Sequence, residues 1–203
     1  MSRNHKRRAV FLDRDGTVAD EVGYVNHLSR FRLFPWSAEA VRLINDAGWA
    51  AVVVTNQAGV ARGYFPEALI RVVNARMTTE LAGVGARLDA VYYCPHHPDA
   101  GEPPYRCRCD CRKPLPGMLE QAACDLDLAL DDSVVIGDRY LEVEMAHRRG
   151  LRAALVLTGY GRGELEFMSA RWPRQPEWVA ENVLDAVKQI LAASDHLAPQ
   201  VRP

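Results

Sequence analysis

The sequence predicts an α/β fold, a three-layer, doubly wound parallel sheet with helices on both faces. Three observations lead there. Short apolar runs alternate with stretches whose apolar residues recur at helical spacing, which is the pattern of βαβ units. Ala9 to Leu12, Ala50 to Val54, Val134 to Ile136 and Ala153 to Leu157 are apolar throughout rather than alternating, as strands buried on both faces require. Three of them end in a polar group, Asp13, Thr55 and Asp138, and doubly wound sheets collect their ligands beyond the carboxyl ends of their strands.

The elements follow in order. Ala9 to Leu12 is short, apolar and stopped by Asp13, and reads as a buried strand. Ser37 is placed to cap a helix with apolar Val41, Leu43 and Ile44, which Gly48 closes. Ala50 to Val54 is a second strand. Pro66 opens an amphipathic helix that runs to about Leu81, with Gly83 behind it. Leu88 to Tyr93 is a third strand. Cys94 to Pro116 is rich in Cys, Pro and Arg, has no periodicity and reads as a loop. Met118 to Leu126 is helical, Val134 to Ile136 a fourth strand, and Leu141 to Arg149 a short helix ending before Gly150. Ala153 to Leu157 is a fifth strand. Asn182 caps a last helix through Leu191.

The 203 residues suit one domain, long enough to bury about 70% of its unfolded surface. Segment 94–111 is expected as an inserted loop and residues 1–8 as a flexible arm. Apolar residues are 48% and charged residues 25% of the chain, which excludes disorder throughout. A net charge of −1 supplies no global field toward nucleic acid or anionic lipid. The longest purely apolar run, Trp49 to Val54, falls far short of the ~20 residues of a membrane span. Arg3, Lys6, Arg7 and Arg8 open the chain like a signal peptide. Asp13 then cuts off the apolar stretch well before the about 7–15 residues that a secretory signal needs. A cytoplasmic monomer with no membrane or nucleic-acid partner is expected.

The first strand runs into Asp13-Arg14-Asp15-Gly16-Thr17. Two carboxylates this close beside an apolar strand repel each other unless they share a cation, and magnesium suits them. Read alone, the pair is equally compatible with a surface turn. Three further pieces change that: Thr55-Asn56-Gln57 ends the second strand, Arg112-Lys113-Pro114 precedes a helix, and Gly137-Asp138-Arg139 ends the fourth strand.

The chain has five cysteines, an odd number that argues against a complete disulfide framework. Cys94-Pro-His96-His97 and Cys107-Arg-Cys109-Asp-Cys111 offer six N or S groups, and a structural zinc needs four. Chemistry alone allows Cys107 in place of Cys109 or Cys111, and His97 in place of His96. A nucleic-acid-binding zinc module is the alternative from another class, and near-neutral charge without aromatic–basic interleaving counts against it.

The ordered set Asp13-x-Asp15-Gly16-Thr17-Val18, Val53 to Gln57, Lys113 and Gly137-Asp138 resembles the haloacid-dehalogenase-like (HAD) superfamily. Gly23-Tyr24-Val25, Gly59 to Gly63, Tyr92 to His97 and Cys109 to Pro114 narrow the resemblance to its histidinol-phosphatase/heptose-bisphosphatase branch. The resemblance spans about Val10 to Thr158. It implies a capless HAD-like fold and a magnesium-dependent phosphatase acting on a small phosphorylated sugar of heptose biosynthesis, with histidinol phosphate as the alternative substrate.

By the same resemblance, Asp13 is the nucleophile and Asp15 the general acid and base, while Thr55 and Lys113 hold the phosphoryl oxygens. Magnesium falls to Asp13, Asp15 (through its backbone carbonyl) and Asp138. Substrate contacts fall to Glu21, Gly23, Tyr24, Asn56, Gln57, Arg112 and Arg139. The family pattern assigns structural zinc to Cys94, His96, Cys109 and Cys111 and leaves Cys107 spare. Two positions depart from it: Arg139 stands where lysine is common, and Glu142 where aspartate is common.

Overall fold

The computed structural model describes residues 6–195. Its strands are β1 (Ala9–Leu12), β2 (Ala50–Asn56), β3 (Ala90–Cys94), β4 (Val134–Gly137), β5 (Arg152–Val156) and β6 (Trp178–Ala180). Its α-helices are α1 (Ser37–Asp46), α2 (Glu67–Ala82), α3 (Gly117–Asp125), α4 (Tyr140–Arg148), α5 (Gly161–Met168) and α6 (Val183–Asp195). All strands are parallel, in the order β3-β2-β1-β4-β5-β6.

The period-two geometry of a strand sorts its residues to opposite faces. Val10, Leu12, Val53 and Ile136 pack against Val41 of α1, Met77 of α2 and Val187 of α6. Phe11, Val52, Val54 and Val135 face the other way, onto Leu119 of α3 and Val143 of α4. Truncating one of these fully buried side chains, such as Phe11→Ala, costs about 3–5 kcal/mol. The chain winds outward from β1 through β2 to β3, then crosses back to lay β4 against β1. That reversal places the crevice beyond the end of β1.

Several elements differ from the sequence reading. Ser37 is the first residue of α1 and Trp36 its cap. The buried Ser37 hydroxyl instead donates to the Val18 carbonyl at 2.7 Å, tying the helix to the turn after β1. Pro66 occupies the cap of α2. β3 starts at Ala90 because Asp89 turns its carboxylate onto the Ala51 N–H and onto Arg7 and Arg87. α5 and β6 have no counterpart in the sequence reading. Asn182 does cap the last helix, its Oδ1 accepting from the N–H groups of Leu184 and Asp185. Of the arm expected over 1–8, residues 1–5 lie outside the described residues. Lys6 pairs with Asp127, and Arg7 bridges to Leu128. No described helix is long and apolar enough to cross a membrane.

Candidate active site

The Asp13 N–H donates to the Ile136 carbonyl at 2.9 Å, so the β1–β4 ladder runs one residue past β1. This sets Asp13 at the crevice beside Asp138, which follows β4. Thr55 and Asn56 close β2, and Lys113 arrives from the loop before α3. Asp13, Asp15, Thr55, Lys113, Asp138 and Glu142 all line one cleft of about 340 Å³. Glu21, Gly23, Tyr24, Asn56, Gln57, Arg112, Arg139 and Tyr160 also belong to its wall and rim. No cap domain covers it among the described residues; residues 13–36 form turns, a short loop and one 3-10 turn at Leu28–Arg30.

Lys113 is 4% exposed and wedged between two carboxylates. Its Nζ pairs with Asp13, lies 2.6 Å from Glu142 Oε1 and donates to the Val54 carbonyl. Asn56 braces it: its side-chain amide donates to the Lys113 carbonyl and accepts from the Lys113 N–H. The amide expected to meet substrate is thus committed to holding the lysine backbone. Gln57 is similarly engaged, its Nε2 donating to Asp15 Oδ2 at 2.8 Å and to Thr55 Oγ1 at 2.9 Å.

Asp138 is held from behind. Its Oδ2 accepts from the Tyr160 N–H at 2.9 Å. Gly16 and Gly159 lie so close that a Cβ on either would sit 2.1 Å from Oδ2, and both have the left-handed backbone glycine tolerates. Thr158 Oγ1 donates to the Gly16 carbonyl and closes this cradle.

On the rim, Arg139 lies over the Tyr160 ring and its Nε donates to Glu164 Oε1. Arg112 Nη1 donates to the His96 carbonyl. Glu21 accepts from the Gly23 N–H, and burial is the main cause raising its pKa. Tyr24 is half-exposed and meets Tyr64 edge-on at 4.8 Å.

Burial is the main cause pushing Asp13 up to about 7; Lys113 opposes it, while Glu142 and Asp15 add to it. Burial also pushes Asp138 up to about 9, with Asp13 and Glu142 adding to it. Burial alone would lower Lys113, but Asp13 and Glu142 outweigh it and hold the lysine above its ordinary value. Negative charge therefore exceeds positive charge among the buried side chains at the floor of the cleft. Two buried carboxylates short of a counter-charge fit a magnesium ion, which takes one or two carboxylates and leaves positions for phosphate oxygens.

This charge imbalance sets a pH dependence. Both carboxyls titrate higher folded than unfolded, so the folded state binds the extra protons and loses stability as pH rises through about 7 and about 9. Lys113 keeps its proton across that window. The melting temperature of magnesium-free protein should fall between about pH 6 and pH 9, and added magnesium should reverse the fall. A flat or rising profile without magnesium would contradict the charge balance drawn here.

Beside the cleft, Cys94, His96, Cys109 and Cys111 each offer one ligand atom, all within 4.8 Å of one another. Cys94 Sγ lies 3.6 Å from Cys109 Sγ and 3.8 Å from His96 Nδ1, and Cys111 Sγ lies 3.5 Å from His96 Nδ1. Tetrahedral ligands at the ~2.3 Å zinc–sulfur bond length have edges of about 3.8 Å, so the set fits zinc. A hydrogen bond from Cys94 leads the causes pulling Cys111 down to about 5, whereas Cys94 is pushed up by that contact and by burial. A bound cation removes this conflict by favouring every thiolate. Cys107 and His97 stand outside the group. The His97 ring faces Arg62 and accepts from the Asp99 N–H.

Three residues here are not marked as site residues by the sequence reading. Glu142 stands there only as a departure from pattern; its signal is an acid on the first turn after Asp138, where its Oε2 accepts from the Arg139 N–H. Tyr160 contributes a backbone N–H, which leaves no mark on side-chain pattern. Arg14, between the two acids, points away from the cleft and beneath it.

A family profile described as HAD-hydrolase-like matches residues 110–186. The D-glycero-D-manno-heptose-1,7-bisphosphate 7-phosphatase of Thermosynechococcus vestitus (strain NIES-2133 / IAM M-273 / BP-1) is 42% identical over 198 residues, 96% of this chain and 99% of that one. The D-glycero-beta-D-manno-heptose-1,7-bisphosphate 7-phosphatase of Escherichia coli (strain K12) is 39% identical over 185 residues, covering 91% of this chain and 90% of that one. The crystal structure of D,D-heptose 1,7-bisphosphate phosphatase from B. bronchiseptica, complexed with magnesium and phosphate, is similar in fold. Its TM-score is 0.79 at 33% identity, over 92% of this chain and 99% of that one.

Proposed function

The chain belongs to the haloacid-dehalogenase-like (HAD) hydrolases, among the heptose-bisphosphate phosphatases, and we propose that it removes the 7-phosphate of D-glycero-D-manno-heptose 1,7-bisphosphate. One observation carries this reading. Asp13, Asp15, Thr55, Lys113 and Asp138 come from four segments of the chain and meet in one open cleft.

Phosphate monoesters resist nucleophiles because their oxygens are anionic, so catalysis is positioning and charge neutralisation. Asp13 attacks phosphorus. The P–O ester bond breaks, and the departing sugar oxygen takes a proton from Asp15. Asp15 then draws a proton from water as the water oxygen attacks the aspartyl phosphate, releasing phosphate and restoring Asp13. Thr55 and Lys113 hold the phosphoryl oxygens, a role worth roughly 10²–10³-fold per well-placed donor. Asp13, Asp138 and the Asp15 carbonyl would hold magnesium, which supplies positive charge against the phosphoryl group when bound. Cys94, His96, Cys109 and Cys111 would hold zinc. With four protein ligands it would cross-link the loop and leave no open position for chemistry.

An open cleft leaves the sugar near solvent, so recognition falls to its rim. Arg112 and Arg139 supply cations there for a second phosphate, and guanidinium groups grip phosphate through paired hydrogen bonds. The less crowded phosphate on the primary carbon enters the Asp13 pocket and the anomeric one stays outside. The chain is read as a cytoplasmic, monomeric, single-domain enzyme with no nucleic-acid or membrane partner, supported by its near-zero net charge.

A two-substrate assay tests the reading. The heptose bisphosphate should exceed histidinol phosphate in kcat/KM by at least about 100-fold, since only the bisphosphate reaches both the nucleophile and the rim arginines. Equal rates, or a preference for histidinol phosphate, would reassign the substrate.

A further inference from the structure

Arg14 is the largest of the fully buried side chains, only 1% exposed, although it sits between the two aspartates of an open site. Burying a guanidinium is costly unless its donors are matched. Here they are. Nε donates to Asp15 Oδ1 at 3.1 Å and Nη2 to Asp15 Oδ2 at 2.8 Å, a two-pronged grip on one carboxylate. Nη1 donates to Oδ1 of Asn74, on α2, at 3.0 Å. The guanidinium lies over the Phe31 ring, 6.0 Å from its centroid. The Arg14 carbonyl accepts from the N–H groups of Val18 and Ala19, which fixes the turn that carries both acids. Arg14 is absent from the cleft wall.

We propose that Arg14 is a positioning residue for the acid–base step. Anchored by Asn74 and Phe31, it holds the Asp15 carboxylate in one orientation while that group is unprotonated and waiting for water. The proposal rests on the reading of Asp13 as nucleophile and Asp15 as acid–base group. In the first half-reaction Asp15 gives its proton to the departing oxygen. In the second it takes one from the attacking water as the acyl-phosphate bond breaks. Between the two it is a carboxylate, and a planar guanidinium fork matches a carboxylate at both oxygens. A lysine keeps the charge but offers a single ammonium in place of the fork. Gln57 holds Asp15 Oδ2 from the cleft side, so Arg14 supplies the opposite half of the grip.

The test is Arg14→Lys in the magnesium-loaded enzyme with p-nitrophenyl phosphate. Nitrophenolate leaves without a proton, so formation of the aspartyl phosphate is spared and its hydrolysis is slowed. The expected result is a fall of about 30-fold in kcat with a matching fall in KM, so that kcat/KM changes less than about twofold, within the range general acid–base catalysis supplies. A burst of nitrophenolate approaching one per active site should accompany it. Asn74→Ala, which leaves Arg14 in place without its anchor, should show the same split at smaller size and carries the test if the lysine variant does not fold. Unchanged kcat, or loss of kcat without a burst, overturns the proposal. Asp15→Asn separates the two levels. If it gives the burst and the Arg14 and Asn74 variants do not, only the role of Arg14 falls; if it gives none, the reading of Asp15 falls with it.

Discussion

Asp13→Asn is expected to abolish turnover, with kcat lowered by at least about 10⁴-fold, because an amide nitrogen or oxygen cannot serve as the phosphoryl acceptor. The fold should survive. Lys113 keeps its partner Glu142 at 2.6 Å, and Asn56 still braces the lysine backbone. The substitution also removes one of the buried acids that push Asp138 up, so the magnesium-free variant should melt no lower than the wild type. Rapid-quench phosphatase assays beside a thermal melt check both parts. Sustained turnover by a well-folded Asp13→Asn enzyme would move the nucleophile elsewhere.

The second large effect belongs to the Cys/His group. Metal analysis should find about one tightly held zinc per chain, lost in Cys109→Ala and retained in Cys107→Ala. The functional consequence follows from geometry. Cys111 is two residues before Lys113, and the same loop presses Gly101 against the Ala61 carbonyl in the segment that follows β2. Releasing the loop displaces Lys113 from Asp13, so Cys109→Ala should lose about 100-fold or more in kcat, the scale of one phosphoryl-stabilising donor. Full zinc occupancy in Cys109→Ala would show that the ligand set is wrong.

Much of this arrangement is legible in the sequence because strongly patterned features report on themselves. β1, β2 and β4 are uninterrupted apolar runs closed by Asp13, Thr55 and Asp138, and their carboxyl ends define the cleft. The cysteine spacing marks the metal loop, and resemblance narrows its candidates to the four residues that the fold brings together. Other features leave weaker traces. β6 is three residues long and, among the described residues, pairs only with β5, so its register depends on tertiary context rather than on a pattern of its own. Ser37 reads as a cap because serine favours that position, yet a buried carbonyl at Val18 claims its hydroxyl. Asn56 shows that a polar residue at a strand end belongs to the site without showing whether it faces substrate or braces a neighbour. Arg14 is harder still, since an arginine beside two acids in sequence looks like a solvated charge until Asn74 arrives from α2, 60 residues away.

In the proposed orientation the phosphate on the primary carbon enters the Asp13 pocket while the arginines hold the anomeric one. Phosphorus NMR of the reaction with D-glycero-D-manno-heptose 1,7-bisphosphate tests it in one spectrum. The 7-phosphate resonance should be lost, inorganic phosphate should grow, and a sugar 1-phosphate should persist. Persistence of the 7-phosphate with release of the anomeric phosphate would contradict it.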